Sequence, residues 1–542
     1  MYRHNVLQPE FEDFYLPFGR KLRSDNRWVR MAKMIPWDEI ESEYAASFSR
    51  NGMGAPALSA RVAFGALIIK EMLSVSDEET VEQIRENPYL QYFLGFSEYR
   101  DEAPFNPSMY VYFRQRLSPL MMKFNDRIIL TAKAAEKHNR DGVIPENDRN
   151  DHDHPHGEST SGGERDGAKI TAEAAEENHG KLIPDATCAP ADITYPTDLK
   201  LLGEAREKLE NIIDKLFEPL RGSGIKKPRC YREKARKQYL EASKSRRLAA
   251  KKLRRALGRQ LSYVRRDLVA INHLLTYPNV TLGLLSCYEY KCLLVIAELY
   301  RQQRQMYVTR SNQIDDRIVS ISQPHVRPIV RGKAGAKVEF GAKIAATLHD
   351  GYVSFTHISW NSFNESSLLL KEINDYRQRY GYWPESVHAD KIYRNRENIA
   401  YCKEHGIRLS GPPLGRPAKE TDENRAELQA AKLAARQDEL DRIPIEGKFG
   451  LGKRRFGLGR IMAKLADTSI SAIIVSAVAM NLVLWLKSLF CSFFMVAEPD
   501  RTRHHGYFNA LATLVVTDAT WIGSISNIPN SIRRCLIMRF CS

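Results

Sequence analysis

Three carboxylates stand out by their positions in the sequence. Asp185 interrupts an apolar, β-like run, Asp390 follows the short predicted strand Ser386–Ala389, and Glu446 lies among basic residues. A carboxylate inside an apolar strand is costly unless it is paired or binds a metal ion. Carboxylates from separate elements can hold two Mg²⁺ ions about 3.5–4 Å apart, beside the attacking and leaving oxygens of a phosphodiester. Taken singly, each acid is weak evidence, because an Asp at a strand end is usually a turn or capping residue.

Basic residues accompany Glu446. Arg442 precedes it by four positions, Lys453 follows it by seven, and Arg454 comes next. On a helix, Arg442 and Glu446 share a face, although Pro444 argues against a regular helix here. Cations around an acidic pocket suit a substrate with a phosphodiester backbone.

The strongest charge feature is a basic segment over 226–266. The 542-residue chain has 81 Lys and Arg, 66 Asp and Glu, and a net charge of +15. This segment alone holds seventeen Lys and Arg and two acids, so it accounts for the whole excess. Four of its cations form adjacent pairs on a predicted helix: Lys251, Lys252, Arg254 and Arg255. Such pairs cannot all neutralise one another, which predicts contact with DNA phosphates; the alternative is a solvated basic helix.

The composition, 43% hydrophobic and 27% charged, is that of a soluble globular protein. It excludes a collagen-like, wholly disordered or multi-spanning membrane chain. Eight cysteines without a C-x-x-C pair argue against a zinc ribbon or a thioredoxin-type site and favour a reducing cytosol. The first residues carry acids where a signal peptide would be apolar. One uncharged run, 470–486, predicts a buried core helix, with a membrane span as the alternative.

Residues 1–144 have the pattern of an all-α domain of several short helices, which allows a helix-turn-helix arrangement. In its last predicted helices, Arg114 and Arg116 are candidates to enter a DNA groove. The alternative is a plain helical bundle with a solvated Arg face. Residues 145–180 are polar and predict a flexible linker. Three alternating histidines within it are a weak candidate metal site: His152, His154 and His156.

Strand-like segments lie on both sides of a helical block. Residues 181–197 contain two short β-like pieces, Leu182–Ala186 and Ala191–Tyr195. The sequence pattern over 318–490 predicts a β-hairpin around Asp350-Gly351, followed by alternating helices and strands. Residues 198–317 are predicted to be helical, and 491–542 show little periodicity.

Three segments resemble the catalytic blocks of bacterial insertion-sequence transposases of the DDE class. They are PDATCAPADITYPTDLKLL, WPESVHADKIYRNRENIAYCKEHGIRLSGPPLGRP and RIPIEGKFGLGKRRFGL. The most specific part is H-A-D-x-x-Y-x-N over His388 to Asn395. The segments LSARVAFGALIIKEML and PYLQYFLGF are similar to the N-terminal domain of the same family.

The resemblance implies an α/β ribonuclease-H-like catalytic core. Together with the patterning, it divides the chain into an all-α N-terminal DNA-binding domain (1–144), a flexible polar linker (145–180), a catalytic domain (181–197 plus 318–490), a basic helical insertion (198–317) and a tail (491–542). We infer the insertion because Asp185 and Asp390 are too far apart in sequence for a bare core of this fold.

The resemblance also assigns the site. It implies Asp185, Asp390 and Glu446 as catalytic, metal-binding acids that hold two Mg²⁺ or Mn²⁺ ions. Arg442, Glu446 and Lys453 fit the Y-x2-R-x3-E-x6-K signature of the wider class, whereas Glu439 occupies its Tyr position. The resemblance further implies that Arg442 and Lys453 contact DNA near the cut, and we expect the neighbouring Arg454 to do the same.

The implied function is that of a DNA transposase. It would bind the terminal inverted repeats of an insertion sequence, hydrolyse the phosphodiester at each end, and join the 3′-hydroxyl to target DNA. We expect a homo-oligomer in a synaptic complex, in the bacterial cytoplasm with the nucleoid and without a membrane. The first alternative is a decayed, inactive transposase that binds DNA as a repressor. The second is a basic membrane-surface protein anchored by 470–486.

Overall fold

The computed structural model describes residues 14, 16, 21–48, 56–141, 177–244, 248–330, 338–415, 421 and 424–496. Most of the predicted linker, with its three histidines, and the tail beyond residue 496 lie outside the described residues.

Seven helices make up the regular structure described in the N-terminal region. They are α1 Arg27–Met34, α2 Trp37–Ala46, α3 Ala60–Leu73, α4 Asp77–Glu86, α5 Pro88–Phe93, α6 Met109–Leu117 and α7 Met121–Asp141. Their starts follow capping rules: Ser76 accepts the N–H of Glu79 at the start of α4, and Asn87 caps α5 with Pro88 in its first turn. The central helix α3 is buried from Ala60 to Ile69.

In the described part of the chain, six strands form one mixed sheet. They are β1 Lys181–Pro190, β2 Arg327–Val330, β3 Val338–His349, β4 Tyr352–Ser359, β5 Ser386–Val387 and β6 Arg408–Leu409. Strand β3 pairs antiparallel with β1, β2 and β4. On the other side of β1, strands β5 and β6 follow in parallel. The antiparallel and parallel parts of the sheet therefore meet at β1, which carries Asp185.

The first strand differs from its prediction. The sequence suggests two short β-like pieces, whereas β1 runs without a break to Pro190 because β3 pairs with it from Ile183 to Pro190. The predicted hairpin is confirmed: β3 and β4 are joined by Asp350 and Gly351, both with positive φ (47° and 82°), as a two-residue turn of this kind requires.

Four helices separate β1 from β2. They are α8 Asp198–Phe217, α9 Arg232–Ser243, α10 Ala250–Leu274 and α11 Cys287–Thr309. They pack around their own apolar core, which includes Leu209, Ile213, Val264, Ile296 and Leu299. This block therefore has the hydrophobic centre that a separate structural module needs.

Four more helices follow the antiparallel strands: α12 Leu369–Tyr380, α13 Arg396–Glu404, α14 Arg425–Arg455 and α15 Ala466–Val496. Helix α14 continues through Pro444, contrary to the doubt that the sequence raises. Isoleucine and methionine side chains of α15, Ile473 and Met480, share a core with Ile344 and Val353 of the sheet.

Helix α15 contains the uncharged run that raised the membrane question. Among the described residues, one stretch, Ala466–Leu489, is long and apolar enough to span a membrane, and 72% of its most apolar window is buried inside the protein. The chain divides into two units, 1–486 and 487–542, and of the second the structure describes only the end of α15.

Candidate active site

The first candidate acid lies in the middle of the sheet. Asp185 is in the part of β1 that pairs with β3, and its carboxylate accepts the backbone N–H of Ala186 at 2.8 Å. Burial raises the pKa of Asp185 to about 6, and the negative charges of Glu365 and Glu446 act in the same direction. The Ala186 N–H and the Arg442 guanidinium oppose this rise. A negative charge on Asp185 is therefore disfavoured until a cation approaches.

The second candidate acid follows the neighbouring strand. Strands β1 and β5 are parallel and pair at Leu182 and Val387. Asp185 comes three residues after Leu182, and Asp390 comes three residues after Val387, so the two acids lie at matching positions along adjacent chains. The Asp390 carboxylate also accepts the N–H of Lys391 at 2.7 Å and caps the 3-10 turn that follows.

The third candidate acid reaches the sheet from α14. Arg442, one helical turn before Glu446, lies between the second and third acids. Its Nη1 is 3.4 Å from Asp390 Oδ1, and its Nη2 is 3.6 Å from Glu446 Oε1. The side chains of Asp390 and Glu446 are 55% and 60% exposed, so this part of the site is open to solvent.

Two further residues adjoin the site and were not predicted from the sequence. Glu365 opens a 3-10 turn after β4, and its Oε1 is 2.8 Å from Nζ of Lys343 on β3. Tyr393 is buried, and its hydroxyl has no hydrogen-bond partner among the residues that the structure describes. Burial raises the pKa of Tyr393, and so do the charges of four acids: Glu372, Glu365, Asp185 and Asp390. The only sequence signals are the helix-capping Asn364 before Glu365 and the Tyr of the H-A-D-x-x-Y-x-N segment.

The donor chemistry of the three acids fits a hard divalent cation. Carboxylate oxygens are the ligands that Mg²⁺ and Mn²⁺ prefer. Among the described residues, no ion pair neutralises Asp185, and its charge is opposed by Glu365 and Glu446. The same part of the chain shows no group of three or more His, Cys, Asp or Glu side chains placed to hold a metal ion. In this arrangement, Arg442 is the cation that neutralises Asp390 and Glu446.

Basic residues at the end of α14 line a cleft of about 710 Å³ between that helix and the α3–α4 region. The predicted DNA contacts Lys453 and Arg454 are among its lining residues, together with Arg455 and Arg460. Arg454 and Arg455 are exposed to solvent. The α14 side of the cleft is thus cationic and continues along the helix bearing Glu446, whereas the α3–α4 side also carries Glu71, Asp77 and Glu78.

The two arginines predicted to enter a DNA groove have different environments. Arg114 is buried, and its guanidinium forms two hydrogen bonds with Asp77, at 2.9 and 2.5 Å. The prediction of a groove contact is wrong for Arg114, because its charge is neutralised inside the N-terminal region. Arg116 is exposed and lies 5.0 Å from the ring centre of Phe48.

The four cations predicted to bind DNA from α10 also have different environments. Lys251, Lys252 and Arg255 are exposed on α10. Arg254 instead turns inward: its guanidinium lies 4.1 Å from the ring centre of Tyr307 and donates to the Tyr307 carbonyl at 2.9 Å. The structure therefore corrects the prediction for Arg254, whose guanidinium is used in packing α10 against α11.

Two protein-family models match the chain. A transposase DDE domain matches residues 387–483, which include Asp390 and Glu446. A second transposase domain, DUF772, matches residues 17–116 in the N-terminal helical region. A transposase DDE domain implies a ribonuclease-H-like fold.

One curated relative is an uncharacterized protein, ORF8 in the nfe locus of Rhizobium meliloti. It is 36% identical over 91 residues, which are 17% of this chain and 43% of the relative. The chain thus spans less than half the length of this relative. No solved structure matches the chain.

Proposed function

The chain belongs with bacterial insertion-sequence transposases of the DDE type, and on that premise we propose that it is an active DNA transposase. It binds the terminal inverted repeats of its element, hydrolyses a phosphodiester at each end, and joins the freed 3′-hydroxyl to target DNA. The observation that carries this proposal is the position of Arg442 between Asp390 and Glu446, with Asp185 on the adjacent strand.

The three acids are proposed to hold two divalent metal ions, Mg²⁺ or Mn²⁺. When bound, such ions supply Lewis acidity toward the attacking and leaving oxygens of the phosphodiester. Asp185 presents its carboxylate from within β1, Asp390 presents its own from the segment after β5, and Glu446 closes the site from α14. Arg442 and Lys453 bind the phosphates on either side of the cut and orient the scissile bond.

The remaining basic surfaces are proposed to bind DNA away from the cut. Helices α1–α7 (1–144) form a DNA-binding domain with Arg116 on its surface, and residues 145–180 connect it to the catalytic domain. Helices α8–α11 (198–317) are an insertion in that domain (181–197 plus 318–490). Its exposed cations, Lys251, Lys252 and Arg255, bind phosphates along the duplex.

The partners and location follow from this chemistry. Two element ends must be brought together, so we propose a homo-oligomer in a synaptic complex with double-stranded DNA. The protein is proposed to be cytoplasmic and nucleoid-associated, with α15 as a core helix. The tail, 491–542, has no assigned role.

A cleavage assay tests the proposal. The substrate is a labelled duplex that carries the sequences flanking the coding region, incubated with Mg²⁺, Mn²⁺ or EDTA. Asp390→Asn and Glu446→Gln are compared with Glu439→Gln, an exposed acid on the same helix. We expect metal-dependent nicking at the element end by wild type and Glu439→Gln, and none by the other two variants, with DNA binding kept by all.

Two results would contradict the proposal in different ways. Cleavage by Asp390→Asn would show that the assigned acids are wrong. Salt-sensitive binding of the ends without nicking under either metal would instead identify a DNA-binding repressor.

A further inference from the structure

We infer that five charged or titratable residues hold α14 against the sheet and thereby fix Glu446 relative to Asp185 and Asp390. We call this group the helix clamp; it consists of Lys181, His388, Arg408, Asp438 and Asp441. The three basic groups come from β1, from the residue after β5, and from β6, which are adjacent in the sheet. The two acids are on α14. The inference rests on the proposed function for its catalytic meaning, but not for its structural test.

Asp438 is the centre of the clamp. Its carboxylate receives two hydrogen bonds from Arg408, from Nη2 to Oδ1 at 2.6 Å and from Nη1 to Oδ2 at 3.1 Å. Nδ1 of His388 is 3.3 Å from the same Oδ1, a close contact without a hydrogen bond in the described part of the chain. The Asp438 side chain is only 10% exposed, and the His388 side chain is fully buried. A two-point contact with a planar guanidinium fixes direction as well as distance.

Asp441 is held one helical turn further on. Its Oδ2 is 2.7 Å from Nζ of Lys181 and 3.8 Å from Nδ1 of His388. Gln437 of the same helix donates to its Oδ1 at 3.0 Å. Since positions three apart share a helix face, both acids face the sheet together.

The imidazole between the two acids is itself fixed by the sheet. Nε2 of His388 lies 3.0 Å from the Ser386 hydroxyl, and the His388 backbone N–H donates to the Leu182 carbonyl at 2.9 Å. These contacts join β5 to β1 and place the ring under α14. A shift of the helix would therefore have to break contacts with three strands.

Each part of the clamp is close in sequence to a proposed catalytic acid. Lys181 lies four residues before Asp185 on β1, and His388 lies two residues before Asp390. Asp441 lies five residues before Glu446 on α14. The clamp thus joins the three segments that carry the three acids, next to the site and outside it.

Pro444 explains why α14 needs an anchor at this point. Proline has no N–H, so the helical hydrogen bond to the Leu440 carbonyl is missing between the clamp and Glu446. Such positions are where helices bend. Ile445 and Phe449 are buried in the core and hold the helix after Pro444. The clamp holds it before Pro444, so that Glu446 is fixed from both sides.

The clamp residues are positioning residues, because they act through the acids and do not touch the reacting atoms. The side chains of Lys181 and Arg408 are 54% and 53% exposed, and half-exposed ion pairs add little to global stability. Loss of a pair should therefore appear as movement of α14 and misplacement of Glu446, while the protein stays folded.

The test uses the full chain with Arg408→Gln and Lys181→Asp, and with the exchanged pair Lys181→Asp/Asp441→Lys. Glu439→Gln is the control, since it removes an exposed charge next to Asp438. The first readout is amide hydrogen exchange over 438–449 without DNA or metal. We expect exchange about tenfold faster in Arg408→Gln and Lys181→Asp, near wild-type exchange in the control, and partial recovery in the exchanged pair.

The second readout is the cleavage rate at saturating DNA. We expect a fall of about 10- to 100-fold in Arg408→Gln, as for other residues that orient metal-binding side chains, with unchanged DNA affinity. If amide hydrogen exchange is faster in the variants but neither they nor the wild type cleaves DNA, the result would support the clamp and overturn the proposed function. Unchanged exchange in both single variants would overturn the clamp, and so would faster exchange together with wild-type cleavage.

Discussion

Nη1 of Arg442 lies 3.4 Å from Oδ1 of Asp390, so a helix residue neutralises an acid at the end of a strand. The same guanidinium reaches Glu446 at 3.6 Å. Arg442 therefore competes with any other cation for these two carboxylates, and its removal should change how the site binds metal.

We expect Arg442→Gln to bind Mn²⁺ about tenfold more tightly than wild type, which corresponds to about 1.4 kcal/mol. The reason is that Asp390 and Glu446 lose their present counter-charge. Isothermal titration calorimetry without DNA measures this directly. Arg460→Gln, which removes a cation paired with Asp192, serves as the control. Unchanged or weaker Mn²⁺ binding by Arg442→Gln would show that these acids do not hold the metal.

The exposed cations of α10 give a prediction about DNA affinity. Lys252, Arg255 and Arg259 lie three and four residues apart and form a stripe on one face of the helix. No carboxylate pairs with them in the part of the chain that the structure describes. Replacing each with Gln should reduce the slope of log affinity against log salt concentration by about 0.9, because each phosphate contact releases one condensed counter-ion.

The matched control for this series is Arg254→Gln. Arg254 neighbours the stripe in sequence but stacks on Tyr307. This variant should lower the melting temperature and leave the salt slope unchanged. A slope that falls equally for Arg254 and for Arg255 would mean that α10 does not present one defined face to DNA. Fluorescence anisotropy over a salt series measures the slope.

These pairs also show what the sequence can and cannot predict. The turn at Asp350-Gly351 is local, so residue type and spacing predict it. The inward orientation of Arg114 and Arg254 depends on Asp77 and Tyr307, which are distant in sequence. Periodicity places a residue on a helix but does not reveal its partner on another helix.

The same limit applies to the site. The resemblance selects Asp185, Asp390 and Glu446 by motif, and two of them each lie three residues beyond the paired positions Leu182 and Val387. Glu365 and Lys343 adjoin the site only because β3 and β4 pair next to β1. Pro444 argues for a helix end by local rules, but burial of Ile445 and Phe449 keeps α14 continuous. Both the position of Glu365 and Lys343 and the continuity of α14 therefore depend on tertiary packing.

A buried carboxyl in the α8–α11 block predicts how stability depends on pH. Burial, and after it the charge of Glu210, raises the pKa of Asp267 from its ordinary 3.8 to about 7. Between these values the unfolded chain releases a proton that the folded chain keeps, so stability falls as pH rises from about 4 to about 7. Above about pH 7, the free energy of unfolding no longer changes through the titration of Asp267.

Asp267→Asn should remove this contribution. We expect its melting temperature to depend less on pH between 5 and 8 than that of wild type, and to be higher at pH 8. Asp315→Asn, an exposed substitution, is the control. An Asn variant whose melting temperature follows the wild-type pH profile would show that Asp267 titrates normally.

Gly341 is required by the close approach of β3 to β1. A Cβ at this position would lie 2.1 Å from the Ala189 carbonyl oxygen, which is backbone and cannot rotate away. Gly341→Ala should therefore lower stability by about 1–3 kcal/mol, as overpacking does, and move the strand that carries Asp185. Urea unfolding checks the first effect and the cleavage assay the second. Gly447→Ala, where the added atom meets open space and Ala is the better helix former, should not lower the midpoint.

The last prediction concerns α15, because a polar side chain ties this apolar helix into the core. Asn481 is fully buried; its Nδ2 donates to Asn125 Oδ1 at 2.9 Å and to the Val353 carbonyl at 2.8 Å, and its Oδ1 accepts the Val353 N–H at 2.9 Å. Asn481→Leu keeps the number of side-chain heavy atoms but leaves the Val353 N–H and Asn125 Oδ1 without this partner, at a cost of about 1–3 kcal/mol each. The Val353 carbonyl keeps Asn125 Nδ2 as a donor at 3.2 Å. We expect a lower urea midpoint in detergent-free buffer, with Asn312→Leu on the surface as control. If Asn481→Leu is instead as stable as wild type and partitions into vesicles, α15 is a membrane segment and not a core helix.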